Sequence, residues 1–278
     1  MTPKADANDY LGRFREIVSD PLNLLIDRTP MAGLVEGGLV HLHNGNRVPL
    51  SGSASYYGEF SNILVINRGV HEPLEEFVFQ ELLKRLPEAP FMLELGAYWG
   101  HYSMWLKRQR PQASVCMVEP ESKNLNAGRK NFALNGFEGE FVQAFVGEGH
   151  FQVDPFMAER GLQHIDVLHS DIQGYEVQML EGAAETLGGH KADYVFVSTH
   201  SQKLHRKSVA RLETYGYRVE ISSDFDIETT SADGFIFASR PEVEPVFAGV
   251  ALLGREQICE SRGPDLVDYI ARLRQVRG

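Results

Sequence analysis

The sequence predicts an α/β protein built on a Rossmann-like sheet of about seven strands, mostly parallel with an antiparallel last pair, carrying an N-terminal α+β extension and a C-terminal helix. Three observations predict it. Apolar strand-length runs alternate with helical periodicities from residue 91 to residue 239, the pattern of a parallel sheet covered by helices on both faces. The first of these strands runs into a glycine bend, Gly96 to Gly100, that opens a helix, as at the ligand-binding edge of a doubly wound sheet. The last two strands are joined by Ser223–Asp233, too short for a good crossover helix, so they pair antiparallel.

In chain order, residues 8–18 place Tyr10, Leu11, Phe14, Ile17 and Val18 at helical spacing, with Pro21 beyond the end. Between residues 33 and 70 glycines punctuate short runs. Val40–His43 leads into Asn44-Gly45 and then Asn46–Leu50, a hairpin whose second strand Pro49 confines to an edge. Ile63–Ile66 reads as a further strand. From Pro73, Leu74, Phe77, Val78, Leu82, Leu83 and Leu86 form one helical face that Pro87 stops. Strands follow at 91–95, 114–118, 140–145, 164–170, 193–199, 217–222 and 234–239, with helices at 101–109, 122–135, 155–160, 175–187 and 202–215. Pro111, Gly136, Gly161, Gly188 and Gly216 supply the stops. Pro241 and Pro245 mark a break, and Pro264 opens a last helix. Its stripe of Leu266, Ile270 and Leu273 packs on the body of the protein or, as the alternative, against a second copy in a homodimer. The breaks divide the chain into an extension (1–70), a main domain (71–240) and a tail (241–278).

Composition excludes several classes. With 27 basic and 38 acidic residues the net charge is −11 and no Lys/Arg-rich block stands out, so nucleic acid is not the expected partner. No apolar run approaches the roughly 18–20 residues that span a bilayer, and the polar first residues lack the apolar core of a signal peptide. Two cysteines, Cys116 and Cys259, make no disulfide framework or metal spacing. A reducing cytoplasm is the expected location.

Chemistry concentrates at strand ends. Phe91–Leu95 carries Glu94 into Gly96, Ala97, Tyr98 and Gly100. A glycine there lets the backbone turn tightly and approach a ligand. The dinucleotide fingerprint requires a middle glycine where Tyr98 stands, and the chain has no Walker lysine. A carboxylate beside the bend instead suits S-adenosylmethionine, which carries an ammonium and a sulfonium and no phosphate. Glu119, 23 residues after Gly96 at the next strand end, is placed to bond ribose hydroxyls, although alone it reads equally as a solvated charge. Two later strands end at Asp171 and His200, which the parallel sheet brings together above one rim. His200 is the leading general base for an acceptor hydroxyl, because imidazole titrates near neutrality. Asp171 would orient it or the acceptor. Alternatively, both hold a divalent metal, or His200 bonds backbone and Asp171 accepts from the amides of residues 173–175. His169 reads as packed within the sheet, His205 as a surface residue, and Tyr98, Trp99 and Tyr102 as pocket or core.

At these residues the chain resembles the FkbM-type family of S-adenosylmethionine-dependent methyltransferases. The matching stretches are His71–Pro73, Leu93–Ala97 with Gly100, Val118–Pro120, Asn131–Gly136, Ile165–Glu176 and Asp233–Pro241, within about residues 70–241. The resemblance implies a class I methyltransferase fold and O-methylation of a small hydroxylated acceptor, such as a sugar or natural product. It implies that Glu94 and Gly96 meet the methionine end of the cofactor, with Ala97, Tyr98, Gly100 and Pro120 also in the cofactor site. Glu119 would hold the ribose, and Gln143, Ala144 and Phe145 would flank the adenine. Two departures stand out: Tyr98-Trp99 replaces a small polar and an aliphatic residue, and Asp171-Ile-Gln173 replaces the commoner Asp-Val-Glu. Residues 1–70 lie outside the resemblance and are expected to cap the pocket. Two other readings are a catalytically silent cofactor-binding subunit and an NAD-dependent oxidoreductase, the latter disfavoured by the glycine spacing.

Overall fold

The computed structural model describes residues 10–224 and 233–276. The polar start of the chain, the first two positions of the leading helix and most of the 223–233 link lie outside the described residues. The extension begins with α1 (Tyr10–Ser19), which buries Ile17 and Glu16 but leaves Tyr10, Leu11 and Val18 exposed. Its apolar face is narrower than the spacing predicts. β1 (Val35–Glu36), β2 (Leu39–His41) and β3 (Arg47–Pro49) then form an antiparallel sheet in that order. The expected turn joins the last two: Gly45 takes φ +87°, and the Asn46 amide donates to Asn44 Oδ1 at 3.0 Å. Pro49 lies on an edge strand. Ile63–Ile66 is not a strand but a one-turn helix, α2 (Ile63–Ile66), continuing a 3-10 turn at Gly58–Asn62. Four apolar residues carry no period that separates the two states. Here the neighbours Ile63 and Leu64 are both buried, which strand alternation would not allow on a one-sided sheet.

Pro73 opens α3 (Pro73–Leu83) at its first turn. All eleven residues are buried, including Glu75, Glu76, Gln80 and Glu81, so the helix is enclosed rather than amphipathic at a surface. The main sheet follows: β4 (Phe91–Leu95), α4 (His101–Gln109), β5 (Ser114–Val118), α5 (Ser122–Asn135), β6 (Glu140–Val142), α6 (Val153–Glu159), β7 (Ile165–Ser170), α7 (Glu176–Glu181), α8 (Ala184–Gly188), β8 (Ala192–Thr199), α9 (Gln202–Thr214), β9 (Arg218–Ser223) and β10 (Gly234–Ser239). Among the described residues it has seven strands in the order β6-β5-β4-β7-β8-β10-β9. Neighbours are parallel except β10, which runs antiparallel to both β8 and β9. The parallel body and the antiparallel last pair are those the sequence predicts. The sheet's third strand stops at Val142, short of the predicted 145. The helix predicted over 175–187 is two helices, because Asp154 accepts from the amides of Glu185 and Thr186, both at 2.8 Å, and caps α8 separately.

Strand alternation divides the core into two layers. Met92, Val167 and Phe196 join the extension, α3 and α4 on one face. Leu93, Leu95, Leu168 and Val195 face α6 to α9 on the other. The tail adds α10 (Arg255–Glu260) and α11 (Gly263–Val276), whose Tyr269, Ile270 and Leu273 are buried in the first layer. Among the described residues no helix is long and apolar enough to cross a membrane. The same alternation puts Glu94, His169 and Ser198 on the first face, at the carboxyl end of the sheet, opposite the polar residues of α3.

Candidate active site

A cavity of about 360 Å³ opens above the carboxyl ends of β4, β5 and β7. Five carboxylates line it, Glu72, Glu94, Glu119, Glu121 and Asp171, and no Lys or Arg is among its described lining residues. The extension contributes Tyr56 and Tyr57 to the wall. Of the residues the sequence assigns to a cofactor, Glu94, Gly96, Ala97, Tyr98, Glu119, Pro120 and Phe145 reach the cavity, whereas Gly100, Gln143 and Ala144 do not. Gly100 starts α4 at φ +80° with Phe132 behind it. The Gln143 amide turns back to donate to the Pro120 carbonyl at 3.1 Å, and Ala144 packs against the second core layer.

The bend is held from three sides. Glu94 accepts the Ser103 amide at 3.1 Å and the Ser103 hydroxyl, satisfying one orphan donor of the α4 N-terminus. Burial raises its pKa. Gly96, at φ +76°, faces the Asp171 backbone so closely that a Cβ would lie 1.8 Å from the Asp171 carbonyl oxygen. The glycine thus joins two strand ends as well as bordering the cavity. Glu119 is 5% exposed, which rules out a solvated charge. It accepts the amides of Tyr98 (3.1 Å) and Glu121 (3.0 Å) and the Asn124 side chain (3.3 Å), and burial raises its pKa. A carboxylate offers about four lone-pair directions, so one remains for a ligand hydroxyl. Anionic walls, a retained acceptor at Glu119 and a volume within the usual ligand range fit a cationic nucleoside such as S-adenosylmethionine. They do not fit a pyrophosphate.

Asp171 and His200 do come together, with Asp171 Oδ1 3.2 Å from His200 Nε2. The roles differ from those expected. His200 Nδ1 lies 2.5 Å from Glu176 Oε1, and Asp233 Oδ2 is 3.9 Å from Nε2. Burial disfavours the imidazolium, but the hydrogen bonds to Asp171 and Glu176 outweigh it and push the pKa up to about 10. An imidazole protonated on both nitrogens has no lone pair for a substrate proton or a metal ion. The raised pKa disfavours His200 as the general base while no ligand is bound, and it is Asp171 that lines the cavity. His169 is buried in the sheet as expected, yet it also borders the cavity, with Nε2 2.7 Å from Glu75 Oε1. His205 is not on the surface. It is 3% exposed, between the hydroxyls of Thr199 (3.0 Å) and Ser222 (2.9 Å).

Sequence reasoning missed four side chains here. Glu72, pushed up to about 8 by burial with His71 opposing, accepts the Tyr102 hydroxyl at 2.9 Å. Glu176 is fully buried beneath His200. Both sit in the stretches that carry the family resemblance, so their signal was present but unassigned. Tyr56 and Tyr57 have no motif around them.

Comparison with known proteins finds partial matches. The methyltransferase FkbM domain matches residues 150–219. Methyltransferase sdnD of Sordaria araneosa is 31% identical over 67 residues, 22% of this chain, and the chain spans only 26% of that relative's length. Among solved structures, the precorrin-6y C5,15-methyltransferase of Geobacter metallireducens aligns with a TM-score of 0.45 at 17% identity, over 60% of this chain and 88% of that one. The ribosomal protein L11 methylase of Lactobacillus delbrueckii subsp. bulgaricus aligns at 0.44 and 12% identity, over 61% and 80%. The matched residues 150–219 hold β7, Asp171, Glu176 and His200, and over this segment the chain is similar to the FkbM methyltransferase domain.

Proposed function

We propose that the chain is an S-adenosylmethionine-dependent O-methyltransferase acting on a small hydroxylated acceptor such as a sugar or natural product. The observation that carries the reading is the cavity wall: five acidic side chains, Glu72 pushed up to about 8 among them, with His71, His101 and His169 but no Lys or Arg among the described lining residues. Such a wall attracts a sulfonium and an ammonium and repels phosphates. S-adenosylmethionine supplies the electrophilic methyl carbon. Glu119 holds a ribose hydroxyl, and Glu94 with the Gly96 bend fixes the strand end against which the amino-acid moiety lies.

An acceptor hydroxyl must lose its proton as the oxygen–carbon bond forms and the sulfur–carbon bond breaks. Asp171 takes that proton, and the His200 imidazolium holds Asp171 in place from outside the cavity. Glu72 is the second carboxyl on the acceptor side. Tyr56 and Tyr57 of the extension close the wall and contribute to acceptor choice. Calorimetry with S-adenosylmethionine, its demethylated product and NAD tests the cofactor, and binding of NAD alone would end the reading. Methyl incorporation into a panel of hydroxylated acceptors tests the reaction. Cofactor binding without incorporation into any of them would favour a catalytically silent subunit.

A further inference from the structure

Beside the cavity, which His101 also lines, is a second cluster to which the proposed methyl transfer assigns no role. His43 follows β2 in the hairpin, Glu76 lies in the first turns of α3, and His101 is the first residue of α4. They are 1%, 0% and 2% exposed. One donor atom from each falls within 4.8 Å of the other two. His43 Nε2 is 2.8 Å from Glu76 Oε2, and His101 Nε2 is 3.9 Å from Glu76 Oε1. His43 Nε2 and Glu76 Oε2 hold each other as a buried ion pair, while His43 Nδ1 and both nitrogens of His101 make no hydrogen bond to the described protein. Buried polar atoms without partners cost free energy and call for one.

We propose that His43, Glu76 and His101 form a binding site for a divalent first-row transition metal, zinc by preference. Two imidazoles and one carboxylate make a ligand set zinc accepts, with a fourth position for water. The nitrogen donors exclude a magnesium or calcium site. At bond lengths of about 2.0–2.1 Å a tetrahedral ion separates its donors by roughly 3.3 Å, and the three donor atoms lie within 4.8 Å of one another. Backbone amides hold the carboxylate and aromatic packing holds the two rings, whose second nitrogens make no hydrogen bond to the described protein. Glu76 Oε1 accepts the amides of His71 (2.9 Å) and Glu72 (3.1 Å) and also lies 2.6 Å from His71 Nδ1, leaving Oε2 for the ion. The His43 ring packs edge-on against Trp105 at 4.4 Å, and the His101 ring stacks on Trp99 at 5.3 Å. A separate hollow of about 410 Å³, which His43 lines with Trp105 and Gln80, lies next to the cluster. The ion pins the extension and α3 to the helix that starts right after the cofactor bend.

The test uses the full chain, stripped with a chelator and titrated with cobalt and zinc. One equivalent of cobalt per chain should give the intense visible absorption of a four-coordinate ion, and one equivalent of zinc should raise the thermal midpoint by about 5 °C or more. His43→Gln and His101→Gln should lose both responses. His164→Gln, in the more exposed His164, Asp166 and Asp193 cluster, and His200→Gln should keep them. Should His101→Gln fail to fold, the wild-type titration and His43→Gln still decide. A stripped wild-type chain that gains neither absorption nor stability, or a His43→Gln chain that keeps both, would overturn the site and leave a cluster satisfied by water alone. None of these readouts depends on methyl transfer.

Discussion

The carbonyl oxygen of Asp171 occupies the space in which a side chain on Gly96 would begin, 1.8 Å from the ideal Cβ position. The bend after β4 and the end of β7 therefore fit together only because residue 96 has no Cβ. Its φ of +76° also disfavours any other residue. Gly96→Ala must displace Asp171 or distort the bend, and either movement reaches the cavity wall. The expected outcome is a loss of at least about 2 kcal/mol in unfolding free energy, with weakened cofactor binding. Denaturant unfolding and calorimetry on the same sample check both. A fully stable variant with native affinity would show that the two strand ends separate at no cost.

Glu119 is tied to Tyr98, Glu121 and Asn124, leaving one acceptor direction over the cavity. Hydrogen bonds to a charged group contribute about 1.5–3 kcal/mol each. Glu119→Ala should weaken binding of the demethylated cofactor by about tenfold to a hundredfold. Glu119→Gln, which keeps one acceptor oxygen, should lose less. Unchanged affinity in Glu119→Ala, measured by calorimetry, would remove this residue from the ribose site.

How far the sequence revealed this site depended on whether a feature is local. The Gly96 bend, Glu119 and the strand ends at Asp171 and His200 were legible because each lies at the end of an apolar run and the parallel sheet aligns such ends. The antiparallel last pair was legible from one short connection. What could not be read depends on contacts between distant segments. His200 has an ordinary sequence context, and only the fold sets Glu176 at 2.5 Å and Asp171 at 3.2 Å from its two nitrogens, turning a candidate base into a cation. Nothing in Glu75 or Glu76 marks them as buried, since an α3 carboxylate is ordinarily solvated. Ile63–Ile66 was misread because four apolar residues fit a strand or a helix turn equally.

Tyr57 offers a way to separate acceptor recognition from cofactor binding. Its side chain is half exposed, and its ring lies 4.7 Å from that of Tyr98. The bond that ties the segment down runs from the Tyr57 backbone amide to the Tyr98 hydroxyl at 3.0 Å, so truncating the side chain leaves it intact. Tyr57→Ala should raise the KM for the acceptor several-fold while the Kd of the demethylated cofactor stays within about twofold. An equal loss in both would mean that Tyr57 shapes the cofactor site instead.

His200 gives a prediction in pH. Its pKa rises from 6.5 to about 10 in the folded chain, where its bonds to Asp171 and Glu176 outweigh the opposing effect of burial. A group whose folded pKa is raised contributes stability that is complete below its unfolded pKa and is lost as pH climbs through the folded value. The wild-type advantage over His200→Gln should therefore be full near pH 6 and should shrink steadily towards about pH 10, as read from thermal midpoints of both proteins. The same variant should lower kcat at least about tenfold with cofactor affinity within about threefold, because His200 acts through Asp171 and does not border the cavity. A wild-type advantage that grows with pH would mean that His200 is neutral in the folded chain. In that state it regains a lone pair, and it would return as the general base in place of Asp171.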